Sequence, residues 1–218
     1  AAQHAKVQAA IATRGLGQSG IIILEALLKL RQACCHPKLV KLAAAQKVQE
    51  SAKLVALLDM LREAADEGRR VLVFSCFSSM LELIGAELDK EGLRYVTLTG
   101  STRDREGVVA EFQRGNVPIF LITLKAGGVG LNLTAADTVI HFDPWWNPAA
   151  EDQAADRAHR IGQTKPIFVY RLICQGTVEE KIEALKQRKA DLAADLLEGS
   201  STSLASLTES DVAALFSE

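Results

Sequence analysis

VPIFLITLKAGGVGLNLTAADTVIHFDPWWNP (117–148) contains two apolar, β-rich runs, VPIFLIT (117–123) and TVIHF (138–142), on either side of a glycine-rich turn. Runs of the same kind recur upstream at VLVFS (71–75) and RYVTL (94–98), and downstream at IFVYRLI (167–173). Helical stretches are expected between them, at 77–91, 103–114, around 128–133 and 149–159. Strands this apolar, alternating with helices, imply an α/β fold: a doubly wound, mainly parallel sheet with helices on both faces. In such sheets the loops at the strand C-terminal ends carry ligand chemistry. That rule gathers 75–77, 99–102, 123–128 and 143–148 on one functional edge.

The flanks read as helical. Residues 1–13 suggest a short Ala-rich helix, and the three glycines of RGLGQSG (14–20) are expected to break it. Helical spacing resumes over Ile21–Cys35 and stops at Pro37. Residues 51–67 form an amphipathic helix with Leu54, Leu57, Leu58 and Leu61 on one face, closed by Gly68. A long helix is expected over 177–197, opened by a capping box of Thr177 and Glu180. GSSTS (199–203) reads as a linker, and a second capping box, Thr208 with Asp211, opens DVAALF. The predicted organisation is a helical lead-in (1–50), an α/β lobe (51–176) and a C-terminal brace helix with linker and short terminal helix (177–218).

The chain has 218 residues, 48% hydrophobic and 24% charged, as expected of one soluble domain with an appendage. No apolar run approaches bilayer length and the first residues do not resemble a secretory signal, so a cytoplasmic protein without membrane contact is expected. The four cysteines (Cys34, Cys35, Cys76, Cys174) form no CxxC pair; reduced thiols and no metal site are expected, with Cys34-Cys35-His36 at a helix end. A net charge of −2 argues against nucleic acid as a partner, or for a small local patch.

Four segments carry candidate chemistry. In DQAADRAHRIGQ (152–163), helical spacing would put Gln153, Arg157 and Arg160 on one stripe, suited to a multiply negative partner, or else to pairing with Glu151 and Asp156. In TLKAGGVGLNLTAAD (123–137), Gly127, Gly128 and Gly130 allow close approach to an anion with a short helix aimed at it; a tight strand–helix connection explains them as well. The turn is neither GxxxxGK[ST] nor GxGxxG. Trp145 and Trp146 are adjacent in a loop, so one is expected in the core and the other projecting. Ser75, and Thr99, Gly100, Ser101 and Thr102, stand where strands hand over to helices, as phosphate contacts or as helix caps.

Taken in order, these segments resemble motifs IV, V and VI of Swi/Snf-type superfamily-two helicases. FSCF resembles motif IV, LTGST with Arg105 and Phe112 the block after it, TLKAGGVGLNLTAAD motif V, DPWWNP its extension and QAADRAHRIGQ motif VI. LRQACCHPKL (30–39) is similar to the family's segment preceding this lobe. Cys76 and Cys35 stand where the family usually has glutamine and asparagine. The resemblance covers about residues 20–197 and implies a RecA-like fold, the second lobe of a bacterial-type, nucleoid-associated, ATP-dependent translocase on double-stranded DNA. By that match Arg157 and Arg160 are arginine fingers, and Gly130, Asn132 and Gln163 belong to the ATP cleft. Gly100, Ser101, Thr102, Arg105, Thr123, Lys125, Gly127, Gly128 and Trp146 would lie along the DNA. No GK[ST] and no Asp-Glu pair stands in a strand–loop context, so ATP and Mg²⁺ would be held mainly by an N-terminal RecA-like lobe. The alternative is a RecA-like lobe that is not a motor and docks a protein through the tryptophans and the 177–197 helix.

Overall fold

Five parallel strands form one sheet among the described residues of this computed structural model, which describes residues 2–115, 117–127, 130–158, 166–195 and 209–216. They are β1 (Val71–Ser75), β2 (Tyr95–Leu98), β3 (Ile119–Thr123), β4 (Thr138–His141) and β5 (Phe168–Arg171), in the order β2-β3-β1-β4-β5. The three middle strands are buried at every position, as expected of apolar runs covered on both faces. Val71 pairs with Ile119 on one side and Thr138 on the other, and Ser75 is level with Thr123. All strand C-termini therefore share one edge.

IFVYRLI, read as a strand like the others, is instead an exposed edge: all four residues of β5 are exposed and only β4 pairs with it. Periodicity reports that a run is apolar and says nothing about how many neighbours it has. The edge is short and partly covered, with the Arg69 guanidinium 4.5 Å over the Phe168 ring.

Helices α3 (Ala52–Asp66), α4 (Ser78–Glu91) and α5 (Arg105–Gln113) fall where the sequence places them, and α7 (Pro148–Ala155) begins there but ends earlier. Ser51 caps α3 by accepting from the Leu54 N–H, and the four predicted leucines are buried. The predicted helix around 128–133 is a correction. A single helical turn, α6 (Leu124–Gly127), comes directly off β3, before the remaining glycines, and residues 130–133 are not helical. Gly130, at φ +48°, lies in the left-handed region where a helix cannot continue.

Helix α4 approaches β2 closely at Gly85, where a Cβ would stand 2.6 Å from the Tyr95 hydroxyl oxygen. The hydroxyl is itself held by Asp89 at 3.2 Å. Gly85→Ala is expected to destabilise the chain by about 1–2 kcal/mol, seen as a lower thermal midpoint. An unchanged midpoint would show that Tyr95 yields freely.

The strands and these helices lie in one compact unit, Gln49–Ile173; Ala1–Val48 and Cys174–Glu218 form the other. The two flanks, read from sequence as separate segments, thus belong together. In this second unit α1 is one continuous helix, Ala2–Cys35, which corrects the break expected at 14–20. Each glycine costs a helix only about 1 kcal/mol, and none of these adopts positive φ. Burial of Val7, Ile23, Ala26 and Leu27 outweighs that penalty. Helix α1 packs against α8 (Val178–Asp195) and α9 (Glu209–Phe216), which contribute Ile182 and Leu185, and Val212, Leu215 and Phe216. Thr177 accepts from the Glu179 N–H and Glu180 reaches back to the Gly176 N–H, a capping box shifted by one residue. Thr208 lies outside the described residues, as does the GSSTS linker. Helix α1 ends before Pro37, and His36 accepts from the Lys38 N–H through Nδ1.

Candidate functional site

The strand order reverses direction between β1 and β4: the chain leaves β1 toward β2 and leaves β4 toward β5. A crevice is expected at that point, and here the protein fills it with its own carboxylate. Asp143, fully buried, accepts from the Ser75 hydroxyl at 2.6 Å and from the Cys76 N–H at 3.1 and 3.2 Å. Sequence reasoning treated Asp143 only as the end of a strand. The other end of the DPWWNP loop is held by Glu151, 1% exposed, which accepts from the Trp145 N–H at 2.6 Å and the Arg171 Nε at 3.3 Å. Between these two anchors both tryptophans are half-buried, and Trp145 packs against the core; the expected division into one buried and one projecting ring is not seen. Asn147 caps α7 by accepting from the Ala149 N–H.

The glycine-rich segment leaves β3 beside this crevice. Thr123 is buried, whereas Lys125 and Gly130 are exposed. Gly128 lies outside the described residues. The segment is held from three directions. Arg105 donates to the Ala126 carbonyl at 2.8 Å. Gln113 donates to the Asn132 carbonyl at 3.1 Å and accepts from the Ala135 N–H at 2.9 Å. The Leu133 N–H donates to the Arg157 carbonyl at 2.9 Å. Gln113 was missed in the sequence, where a polar residue closing a helix carries no signal of partners 19 and 22 residues away.

Along the same edge the TGST turn is internally organised. The Thr99 N–H donates to the Thr102 hydroxyl at 2.9 Å, and the Thr99 and Ser101 hydroxyls lie 2.8 Å apart. Gly100 and Ser101 are exposed and Thr102 and Arg105 half-buried. These residues are at once turn formers and the polar surface of the edge.

The arginine stripe needs correction. Helix α7 stops at Ala155, and Arg157 and Ala158 donate to the carbonyls of Ala154 and Ala155, three residues back. Arg157 therefore lies beyond the regular helix and is 5% exposed, whereas Gln153 is exposed. Arg160 and Gln163 lie outside the described residues.

The family of helicase conserved C-terminal domains matches residues 52–162, from α3 through the motif VI segment. The chain belongs to that family. Its type follows from solved structures. The SWI2/SNF2 ATPase C-terminal domain of Sulfolobus solfataricus aligns at 31% identity and a TM-score of 0.76, covering 98% of this chain and 89% of that one. The Sulfolobus solfataricus SWI2/SNF2 ATPase core in complex with double-stranded DNA aligns at 33% identity and a TM-score of 0.79, covering 98% of this chain and 46% of that one. An uncharacterised ATP-dependent helicase of Mycoplasma pneumoniae is 38% identical over 202 residues, 91% of this chain and 19% of the relative. This helicase C-terminal domain, of the SWI2/SNF2 type with the RecA-like fold, spans about a fifth of that relative's length.

The Ser75 hydroxyl and the Cys76 N–H, donors a phosphate would need, are already taken by a carboxylate that would also repel it. Among the described residues no group of His, Cys, Asp or Glu is arranged to hold a metal ion, and no helix is long and apolar enough to cross a membrane. What the edge offers is side chains and loops, presented outward beside a crevice that is already closed.

Proposed function

We propose that this helicase C-terminal domain is the second motor lobe of an ATP-dependent translocase on double-stranded DNA. The observation that carries the reading is the self-filled crevice: Asp143 occupies the sheet's own ligand position, so the lobe acts on a nucleotide held elsewhere. That nucleotide, with Mg²⁺, sits on an N-terminal RecA-like lobe of the same polypeptide. The likeness to a SWI2/SNF2 ATPase core bound to double-stranded DNA supports the choice of substrate.

In this reading ATP supplies the phosphoryl group and the lobe supplies Arg157 and Arg160 to its γ-phosphate. Arg157 lies just beneath the edge, so its role requires its cover to shift as the lobes close. Gly130, Asn132 and Gln163 border the nucleotide. Gly100, Ser101, Thr102, Arg105, Thr123, Lys125, Gly127, Gly128 and Trp146 follow the DNA backbone, through N–H groups and hydroxyls as much as charge. That mode of grip is compatible with a chain of net charge −2. The α8 segment is a brace helix that offers a surface to a protein partner, and the parent protein works in the cytoplasm on the nucleoid.

The test is ATP turnover by the full-length protein with and without duplex DNA, beside this chain alone. DNA is expected to stimulate the full-length protein strongly, and the lone chain is expected to show little or no turnover. Equal turnover with and without DNA, or full activity from the lone chain, rejects the reading.

A further inference from the structure

We propose that Gln113 is a positioning residue that couples the 99–105 block to Arg157. The inference rests on the motor reading, because it concerns how contact with DNA at one end of the lobe reaches the cleft. Helix α5 starts directly from that block: Asp104 caps it by accepting from the Gly107 N–H at 2.8 Å. Its first and last residues, Arg105 and Gln113, lie about 12 Å apart along the axis. They grip the two limbs of the glycine-rich segment, at Ala126 and at Asn132–Ala135. Between the two atoms held by Gln113 lies Leu133, fully buried, whose N–H donates to the Arg157 carbonyl. The chain leads from the TGST turn directly into α5, and hydrogen bonds lead on from that short helix through Gln113 and Leu133 to the backbone of Arg157.

The amide of Gln113 suits this place chemically. One partner is a carbonyl and the other an N–H, so the side chain must donate with Nε2 and accept with Oε1, which also fixes its orientation. Glutamate keeps the acceptor for Ala135 but sets a second acceptor against the Asn132 carbonyl. Alanine removes both links. A limb released from α5 no longer follows the 99–105 block, and Arg157 moves independently of it.

The experiment measures ATP turnover by full-length wild-type, Gln113→Glu and Gln113→Ala proteins with and without duplex DNA, together with DNA affinity by anisotropy. The expected result is that the ratio of DNA-stimulated to DNA-free turnover falls about three- to tenfold in both variants, with DNA affinity unchanged. A variant that merely loses folded protein lowers both rates alike and leaves the ratio intact, so an intact ratio in either variant overturns the proposal. A ratio that falls only as DNA binding weakens overturns it as well, since Gln113 would then serve the grip. Should Gln113→Ala not fold, Gln113→Glu, altered by one polar atom at a half-exposed position, decides alone. A wild-type protein without stimulation rejects the motor reading; a stimulated wild type with stimulated variants rejects this inference only.

Discussion

Replacing Arg157 by alanine in the full-length protein is expected to lower ATP turnover about 10³-fold or more, with duplex DNA bound as tightly as before. The loss should fall on kcat rather than KM, because a guanidinium facing the γ-phosphate matters most as charge shifts in the transition state. The position favours a large effect. At 5% exposure the charge is shielded from water, and a fixed cation in such surroundings acts more strongly on a phosphate than one in solvent. Lysine keeps the charge and loses the planar fork, so Arg157→Lys should recover only part of the turnover. Near-normal turnover in a double Arg157→Ala, Arg160→Ala protein would remove both residues from the chemistry.

The second large effect is expected at Asp143. Its carboxylate is the shared acceptor for the Ser75 hydroxyl and the Cys76 N–H at the centre of the sheet edge. Asp143→Ala leaves two donors without their partner, at about 1–3 kcal/mol each. The sum is a sizeable part of the roughly 5–15 kcal/mol that holds a domain folded. Asp143→Asn keeps one oxygen acceptor and should cost less. Denaturant unfolding gives the difference, and tryptophan emission gives its location, since the chain's two tryptophans both follow Asp143. A midpoint for Asp143→Ala equal to wild type would mean that the crevice is not held shut by this carboxylate.

Strand positions were legible because five apolar runs announce themselves locally. What sets their order is not local, and neither the edge status of β5 nor the closure of the β1–β4 crevice could be read from a run's composition. Asp143 and Ser75 are bonded across 68 positions, and Arg105 and Ala126 across 21. No periodicity records such pairs. One signal was present at Asp143, a carboxylate following a β-rich run and preceding a proline, where a buried partner is the ordinary requirement. The helical errors have opposite causes. At 14–20 glycine was overweighted against a packed helix face; at 149–159 regular spacing was extended past Ala155, where the helix ends.

The central strand VLVFS is the first of the five to be synthesised, yet both of its neighbours come later in the chain. On the ribosome, β1 must wait for 119–123 and then 138–141, an interval on the order of seconds at ordinary elongation rates. Throughout it, five consecutive residues destined for complete burial stay without either companion strand, an adhesive nascent segment with high contact order. Chaperone demand and slowed translation during production should therefore bear on this lobe between the emergence of β1 and that of β4, well before any activity can be assayed.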